Sequence, residues 1–252
     1  MLLIGFLCGI VTGLLSVGGG IILIFTFIFI LPPLTGVSYS MQTITGFSIM
    51  QTFFSTLSGG YYYFKNKLID EQIVFIMGIP AMIGGVMGSV LANQSSDFLL
   101  QLIFAITTIC AALAMQLPRK IVDGESNKYK FTRLTFFITV IVSTAIGIIG
   151  GMVGLGAGFL FIPIMIHIFK IDIRKAIGSS LLTAFLLSTG SFITKLGSGN
   201  IPILLGIVLV AGGIIGAQVG GRISTKINSN TLKRIAGYAI TLVGIRALIG
   251  LF

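Results

Sequence analysis

The chain's 252 residues are 55% hydrophobic and only 9% charged, and the mean hydropathy is +1.10. A water-soluble domain carries about 25% charged residues, so this composition excludes one. The net charge of +10 does not point to nucleic acid, because the basic residues sit in short loops between apolar runs, with no basic, aromatic-interleaved helix face.

Apolar runs follow one another at residues 1–31, 42–64, 72–92, 98–117, 131–168, 176–196, 201–221 and 230–251. Runs of this length read as membrane helices, and the alternating pattern of a β-barrel is absent. Residues 1–31 carry no charge, so this segment lacks the basic start of a signal peptide and is expected to stay in the mature protein. Cys8 and Cys110 both lie within apolar runs and match no metal spacing. The polar stretch Pro118–Lys130 divides the chain into a first repeat (1–117), a cytoplasmic linker (118–130) and a second repeat (131–252).

The halves resemble each other. Gly9 to Ile30 over Gly147 to Ile168 gives eight identities in 22 positions, four of them glycines in register: Gly9/Gly147, Gly13/Gly151, Gly18/Gly156 and Gly20/Gly158. Phe53 to Ser58 aligns with Leu186 to Ser191, and Met82 to Gly88 with Val210 to Gly216. Such duplication is the common plan of secondary transporters.

Residues 131–168 as a single helix would be about 57 Å long, against a hydrocarbon core of about 30 Å. A break is expected at Gly154, Gly156 and Gly158, and a matching one at Gly18–Gly20. Each first segment then reads as a re-entrant hairpin that returns to the side it entered. Basic residues support this. With eight simple crossings they divide eight against seven, whereas two hairpins place fourteen on one side and only Lys195 on the other, leaving Arg246 aside. The predicted fold is an all-α polytopic membrane protein of two inverted repeats. Each is a glycine-broken hairpin plus three transmembrane helices, and both termini face outward.

The hairpin tips are the first candidate site. A break exposes backbone N–H groups that lipid cannot satisfy, and a helix N-terminus favours anions. Gly18, Gly19 and Gly20, with Gly156, Ala157 and Gly158, are therefore expected to hold a small anion where the tips meet. A side chain at Gly20 or Gly158 is expected to block its approach while the protein still folds. Gly84, Gly85, Gly212, Gly213, Gly216 and Gly220 read as packing glycines.

Two hydroxyl stripes come next. Thr45, Ser48, Thr52, Ser55 and Gly59 share one helix face, as do Ser180, Ala184, Ser188, Ser191 and Lys195, with Ser179 and Thr183 adjacent. As wholes these read as packing. Thr45, Ser48, Ser179 and Ser180 are the members offered as donors to an oxyanion. Gln218, between Gly216 and Gly220, is either interhelical glue or a substrate contact. Lys195 and Arg246 are expected to snorkel to the interface, and His167 to lie there too. All six acidic residues (Asp70, Glu71, Asp97, Asp123, Glu125 and Asp172) fall in loops or at helix ends, so no carboxylate relay is expected. No catalytic set, metal spacing or cofactor motif is present, and the glycine runs lack the βαβ unit a dinucleotide fingerprint needs.

The segments GLLSVGGGII, GMVGLGAGFLFIP, KAIGSSL and AGGIIGAQVGGRIS resemble the TauE/SafE family of sulfite-exporter-like carriers over nearly the whole chain. The first half departs from it in reading TITGFS where the second reads AIGSSL. The resemblance implies movement of a small sulfur-containing anion such as sulfite, sulfoacetate or another organosulfonate. The expected partners are that anion and the lipid bilayer, without cofactor or nucleic acid; no oligomeric state is assigned. A passive anion channel of the same fold and a non-transporting membrane scaffold are the alternative readings.

Overall fold

A computed structural model describes residues 1–16, 19–116, 132–199, 202–228, 231, 238 and 241. Gly18, the 118–130 linker and most of the predicted last run, with Arg246, lie outside the described residues. Those described form nine helices and no strand. They are α1 (Leu2–Leu15), α2 (Gly20–Thr35), α3 (Met41–Lys65), α4 (Glu71–Asn93), α5 (Asp97–Gln116), α6 (Arg133–Val153), α7 (Gly158–His167), α8 (Ile173–Gly197) and α9 (Ile203–Lys226). By length and composition α4, α6, α8 and α9 can each cross a membrane.

Local chemistry sets the boundaries. Ser40, Asp70 and Asp172 cap α3, α4 and α8, their side chains accepting from the N–H groups of Thr43, Ile73 and Arg174. Within α2, Pro32 and Pro33 cannot donate to the preceding turn, and Thr26–Ile30 widens into a π-helical turn there.

The predicted breaks are present. α1 stops at Leu15 and Ser16 turns left-handed, with φ 51°. α6 stops at Val153, and Gly154, Gly156 and Ala157 have φ of 78°, 63° and 49°. Gly154 and Gly156 supply a conformation that side chains disfavour. Ser16 and Ala157 adopt it without being glycine.

Directions follow from the contacts. α1 lies alongside α9 and runs the same way, Gly5 meeting Leu209, Gly9 meeting Gly213 and Gly13 meeting Ala217. α6 lies on α4 likewise, Gly147 meeting Ala81 and Gly151 meeting Gly85. α3 also runs with α9, through Ser58 on Ile214 and Tyr62 on Thr225, and runs against α4, whose end it meets where Gln42 donates to the Ser95 carbonyl. α1 therefore starts where α3 and α9 begin. α2 ends there too, after which residues 36–40 lead into α3 and Phe27 packs on Tyr39 and Phe47. α6 starts, and α7 ends, at the opposite end of the bundle, where Ser179 of α8 meets Asp70 of α4.

The two glycine seams are reciprocal. A Cβ on Gly84 would meet Thr144 and Ile148, and one on Gly216 would meet Phe6 and Ile10; Gly88 faces Ile148 and Met152 as Gly220 faces Ile10 and Leu14. This equates Gly84 with Gly216, Gly85 with Ala217 and Gly88 with Gly220. The alignment of Met82–Gly88 with Val210–Gly216 is thus one helical turn out. Glycines spaced by four fit a seam in either register, and only the partner helix fixes it.

The packing glycines bring helix backbones together without side chains between them. Large apolar side chains such as Leu3, Leu34, Phe75, Ile141 and Leu204 point outward, while the hydroxyls of α3 and α8 are buried. That distribution suits a bundle in lipid with a polar interior.

Candidate functional site

The two breaks meet inside the bundle. A Cβ placed on Gly20 would lie 2.5 Å from Ser48 Oγ and 3.1 Å from the Gly154 carbonyl oxygen. A Cβ on Gly158 would lie 2.5 Å from the Ser16 carbonyl oxygen and 2.6 Å from its Oγ. The first turn of each second leg thus faces the left-handed end of the other hairpin. α3 holds this junction: Ser48 Oγ donates to the Gly154 carbonyl, the Thr45 backbone packs on Gly154, and the Thr52 methyl packs on Gly156.

Each tip closes on its own first leg. The Gly19 N–H donates to Thr12 Oγ1, which itself donates to the Cys8 carbonyl. In the second hairpin the Ala157 methyl packs over Gly150 instead. Among the described residues, no acceptor is recorded for the N–H groups of Gly20, Ile21, Gly156, Gly158 or Phe159.

Three buried polar atoms around this junction also lack a partner: Ser16 Oγ, Gln51 Oε1 and Thr52 Oγ1. Gln51 Nε2 donates to Ser55 Oγ at 3.2 Å, and it would lie 2.8 Å from a Cβ on Gly19. A buried amide or hydroxyl left unpaired is costly, so such atoms mark where a ligand or water belongs. The hydroxyls can donate, and an amide flip would turn the Gln51 NH₂ into the space its oxygen now faces. No charged side chain joins the cluster; Lys195 is the one charged residue fully buried among the described residues.

The predicted residues divide clearly. Gly19, Gly20, Ser48, Gly156, Ala157 and Gly158 come together at the tips, and Gly18 lies outside the described residues. Thr45 reaches them through its backbone, while its hydroxyl donates to the Gln42 carbonyl of its own helix. Ser179 does not join them, because its Oγ accepts from the Asp70 N–H at 2.8 Å. Ser180 Oγ donates to the Ile177 carbonyl of its own helix. Gln218 Nε2 donates to the Ser58 carbonyl at 2.6 Å and to Ser58 Oγ at 3.1 Å, a tie between α9 and α3. Gly213, read as a packing glycine, faces Ser55 Oγ and Gln51 Nε2.

Two expectations need correcting. A side chain on Gly20 would strike Ser48 Oγ and then the Gly154 carbonyl, and one on Gly158 would strike the Ser16 carbonyl, so those positions cannot separate binding from folding. Lys195 does not snorkel: it is fully buried, and its Nζ donates to Asn93 Oδ1 at 3.1 Å. Sequence reasoning also missed Gln51 and Ser16. An amide within an apolar run is the signal that drew notice to Gln218, and it applies equally to Gln51. Ser16 gives no such signal, since its role depends on a left-handed turn.

A family model described as sulfite exporter TauE/SafE matches residues 1–247. The chain is 24% identical to the probable membrane transporter protein YunE of Bacillus subtilis, covering 97% of this chain and 94% of that one. It is 27% identical to the probable membrane transporter protein YdhB of the same organism, over 92% and 93%. A probable membrane transporter protein of Methanocaldococcus jannaschii is 24% identical over 100% of this chain and 93% of its own. No solved structure matches the chain.

Proposed function

This chain belongs to the sulfite exporter TauE/SafE family, and we propose that it is a secondary transporter of a small anion, a sulfite or an organosulfonate such as sulfoacetate, working by alternating access. It is a multi-pass membrane protein. Residues 1–117 and 131–252 are two inverted repeats joined by a cytoplasmic linker, each a re-entrant hairpin and three spans. The reciprocal seams, and first segments that start and return at opposite ends of the bundle, support that arrangement.

The observation that carries the reading is the junction of the two tips, where Ser16, Gln51 and Thr52 present unpaired buried polar atoms beside free N–H groups. Backbone and neutral donors can hold an oxyanion without a fixed counter-charge, which suits a substrate that must also leave. A sulfonate offers several acceptor oxygens to such donors; a sulfonamide carries no charge to them. Moving one repeat against the other would open the junction to each face in turn.

The test is binding to purified protein. Sulfite and methanesulfonate should bind saturably, methanesulfonamide far more weakly, and Gln51→Leu with Thr52→Val should remove most of the affinity. Equal binding of the sulfonamide, or wild-type affinity in the double variant, would overturn the site.

A further inference from the structure

The α8 stripe runs from the hairpin junction to a buried cation. Ala184 lies against the junction, its Cβ 3.3 Å from the place of a Gly158 Cβ. Ser188, Ser191 and Lys195 continue along the same face, all buried. Lys195 is eleven residues beyond Ala184, or about 16 Å along the helix.

A buried ammonium ordinarily needs a counter-charge, because a neutral partner does not recover the hydration it has lost. Lys195 has only the amide oxygen of Asn93, and no salt bridge is recorded among the described residues. An ammonium has three donors, so two remain unused. One turn before it on the same face, buried Ser191 Oγ has no partner at all.

Nor does the fold require a cation here. α3 and α8 are both 25 residues long. The equivalence of Gly84 with Gly216, carried back along the chain, pairs Lys195 with Tyr63, one residue from the pairing implied by aligning Phe53–Ser58 with Leu186–Ser191. Tyr63 is equally buried, and its hydroxyl ties to the Gly13 carbonyl at 3.1 Å. A neutral side chain thus serves the structural purpose at one end of the bundle. The other end holds an uncompensated positive charge beside an unsatisfied hydroxyl.

We propose that Lys195 and Ser191 form a second anion-binding site, a station through which the substrate passes between the hairpin junction and the bundle end where α4 and α8 finish. Asn93 holds the ammonium in the conformation seen. An arriving oxyanion would take the free donors of Lys195 Nζ and the Ser191 hydroxyl. The inference rests on the anion reading above and adds a site of its own.

The test uses purified full-length protein and radiolabelled sulfite in equilibrium dialysis, together with uptake into proteoliposomes. Wild type should bind two equivalents. Lys195→Met, close in shape and free of the burial cost of a charge, should fold normally, lose one equivalent and raise the uptake KM about tenfold or more, the worth of a hydrogen bond to a charged group. Asn93→Leu removes the tie but keeps the cation, and should retain both equivalents.

If Lys195→Met binds and transports as wild type does, the site is overturned. If Asn93→Leu reproduces the loss, Lys195 is a structural tie and the site is again overturned. Should Lys195→Met fail to purify, Ser191→Ala must still weaken the second equivalent, and unchanged binding there would also overturn it. Failure of wild type to bind any sulfite would instead remove the transport reading itself.

Discussion

The hydroxyl of Ser48 donates to the carbonyl oxygen of Gly154 across the bundle, at 2.5 Å. It joins the middle of α3 to the broken end of α6, where the helix has run out of intrahelical donors for its last carbonyls. The same oxygen lies 3.1 Å from the place of a Gly20 Cβ, so one contact locks α3 and both tips together.

Ser48→Ala leaves that carbonyl buried without its donor. Thermal unfolding in detergent should show a loss of about 1–3 kcal/mol. Substrate affinity should fall too, since the junction would lose its register. An unchanged midpoint would mean that the Gly154 carbonyl finds water or another donor.

Ser16→Ala, Gln51→Leu and Thr52→Val should behave in the opposite way. Each removes a buried atom that has no partner in the protein, and deleting an unsatisfied polar group is neutral or stabilising. Gln51→Leu also removes the Nε2 donor of Ser55 Oγ, so the two effects offset and its melting temperature should hold rather than rise. Melting temperature should hold or rise while sulfite affinity drops, most of all for Gln51. Parallel loss of stability and affinity would show these groups to be structural.

At the seams, Gly88→Ala and Gly220→Ala would each drive a methyl into a facing backbone carbonyl, of Ile148 and Ile10 respectively. Overpacking of this kind costs about 1–3 kcal/mol, more where backbone must shift. Gly197→Ala, with nothing within 4 Å of the added methyl, should be silent. Equal purification yield and stability for all three would refute close packing at the seams.

Composition and periodicity made the helices legible, because runs of apolar residues longer than a bilayer is thick admit few other structures. The break positions were legible for a different reason: glycine clusters in both halves fell at matching places. What the sequence left unread depends on partners. The one-turn register of Gly84–Gly88 against Gly216–Gly220 is set by α1 and α6, neither of which is adjacent in the chain. The direction of the Ser179 and Ser180 hydroxyls depends on what lies opposite them, an N–H of Asp70 in one case and their own helix in the other. Lys195 departs from its expected place because a lysine near a helix end is ordinarily free to reach the interface. Here the end of α4 covers it.

The acidic residues support a prediction about coupling. Asp70 and Asp172 cap helices, and Glu71 and Asp97 lie in first turns, where carboxylates favour the helix N-terminus. Asp70→Asn and Asp172→Asn keep a capping side chain and should leave sulfite flux in proteoliposomes near wild type. Asp172→Ala should cost about 1 kcal/mol of stability with flux again retained once folded. A single one of these whose neutralisation stopped flux in folded, anion-binding protein would reveal a proton-coupling site.

Orientation in the membrane follows from the basic residues, and the fold supplies positions at which to read it. Asn66 lies exposed in the connection between α3 and α4, and Ser96 lies exposed just before α5, at the opposite end of the bundle. With fourteen basic residues against one, the Asn66 end is expected in the cytoplasm and the Ser96 end outside. Cys8 is buried against the first tip and Cys110 is exposed, so both are best replaced by alanine before new cysteines are introduced. In that background, Ser96→Cys should react with a membrane-impermeant maleimide in intact cells. Asn66→Cys should react only after permeabilisation. The same assignment puts Lys195 and Asn93 at the outer face, so the cationic station would meet anion arriving from, or leaving to, the exterior. Labelling of Asn66→Cys but not Ser96→Cys in intact cells would reverse that polarity, and the cation would then face the cytoplasm. Labelling of both would mean that α3 does not carry the chain across the membrane, and the transport path built on its hydroxyl face would fall with it.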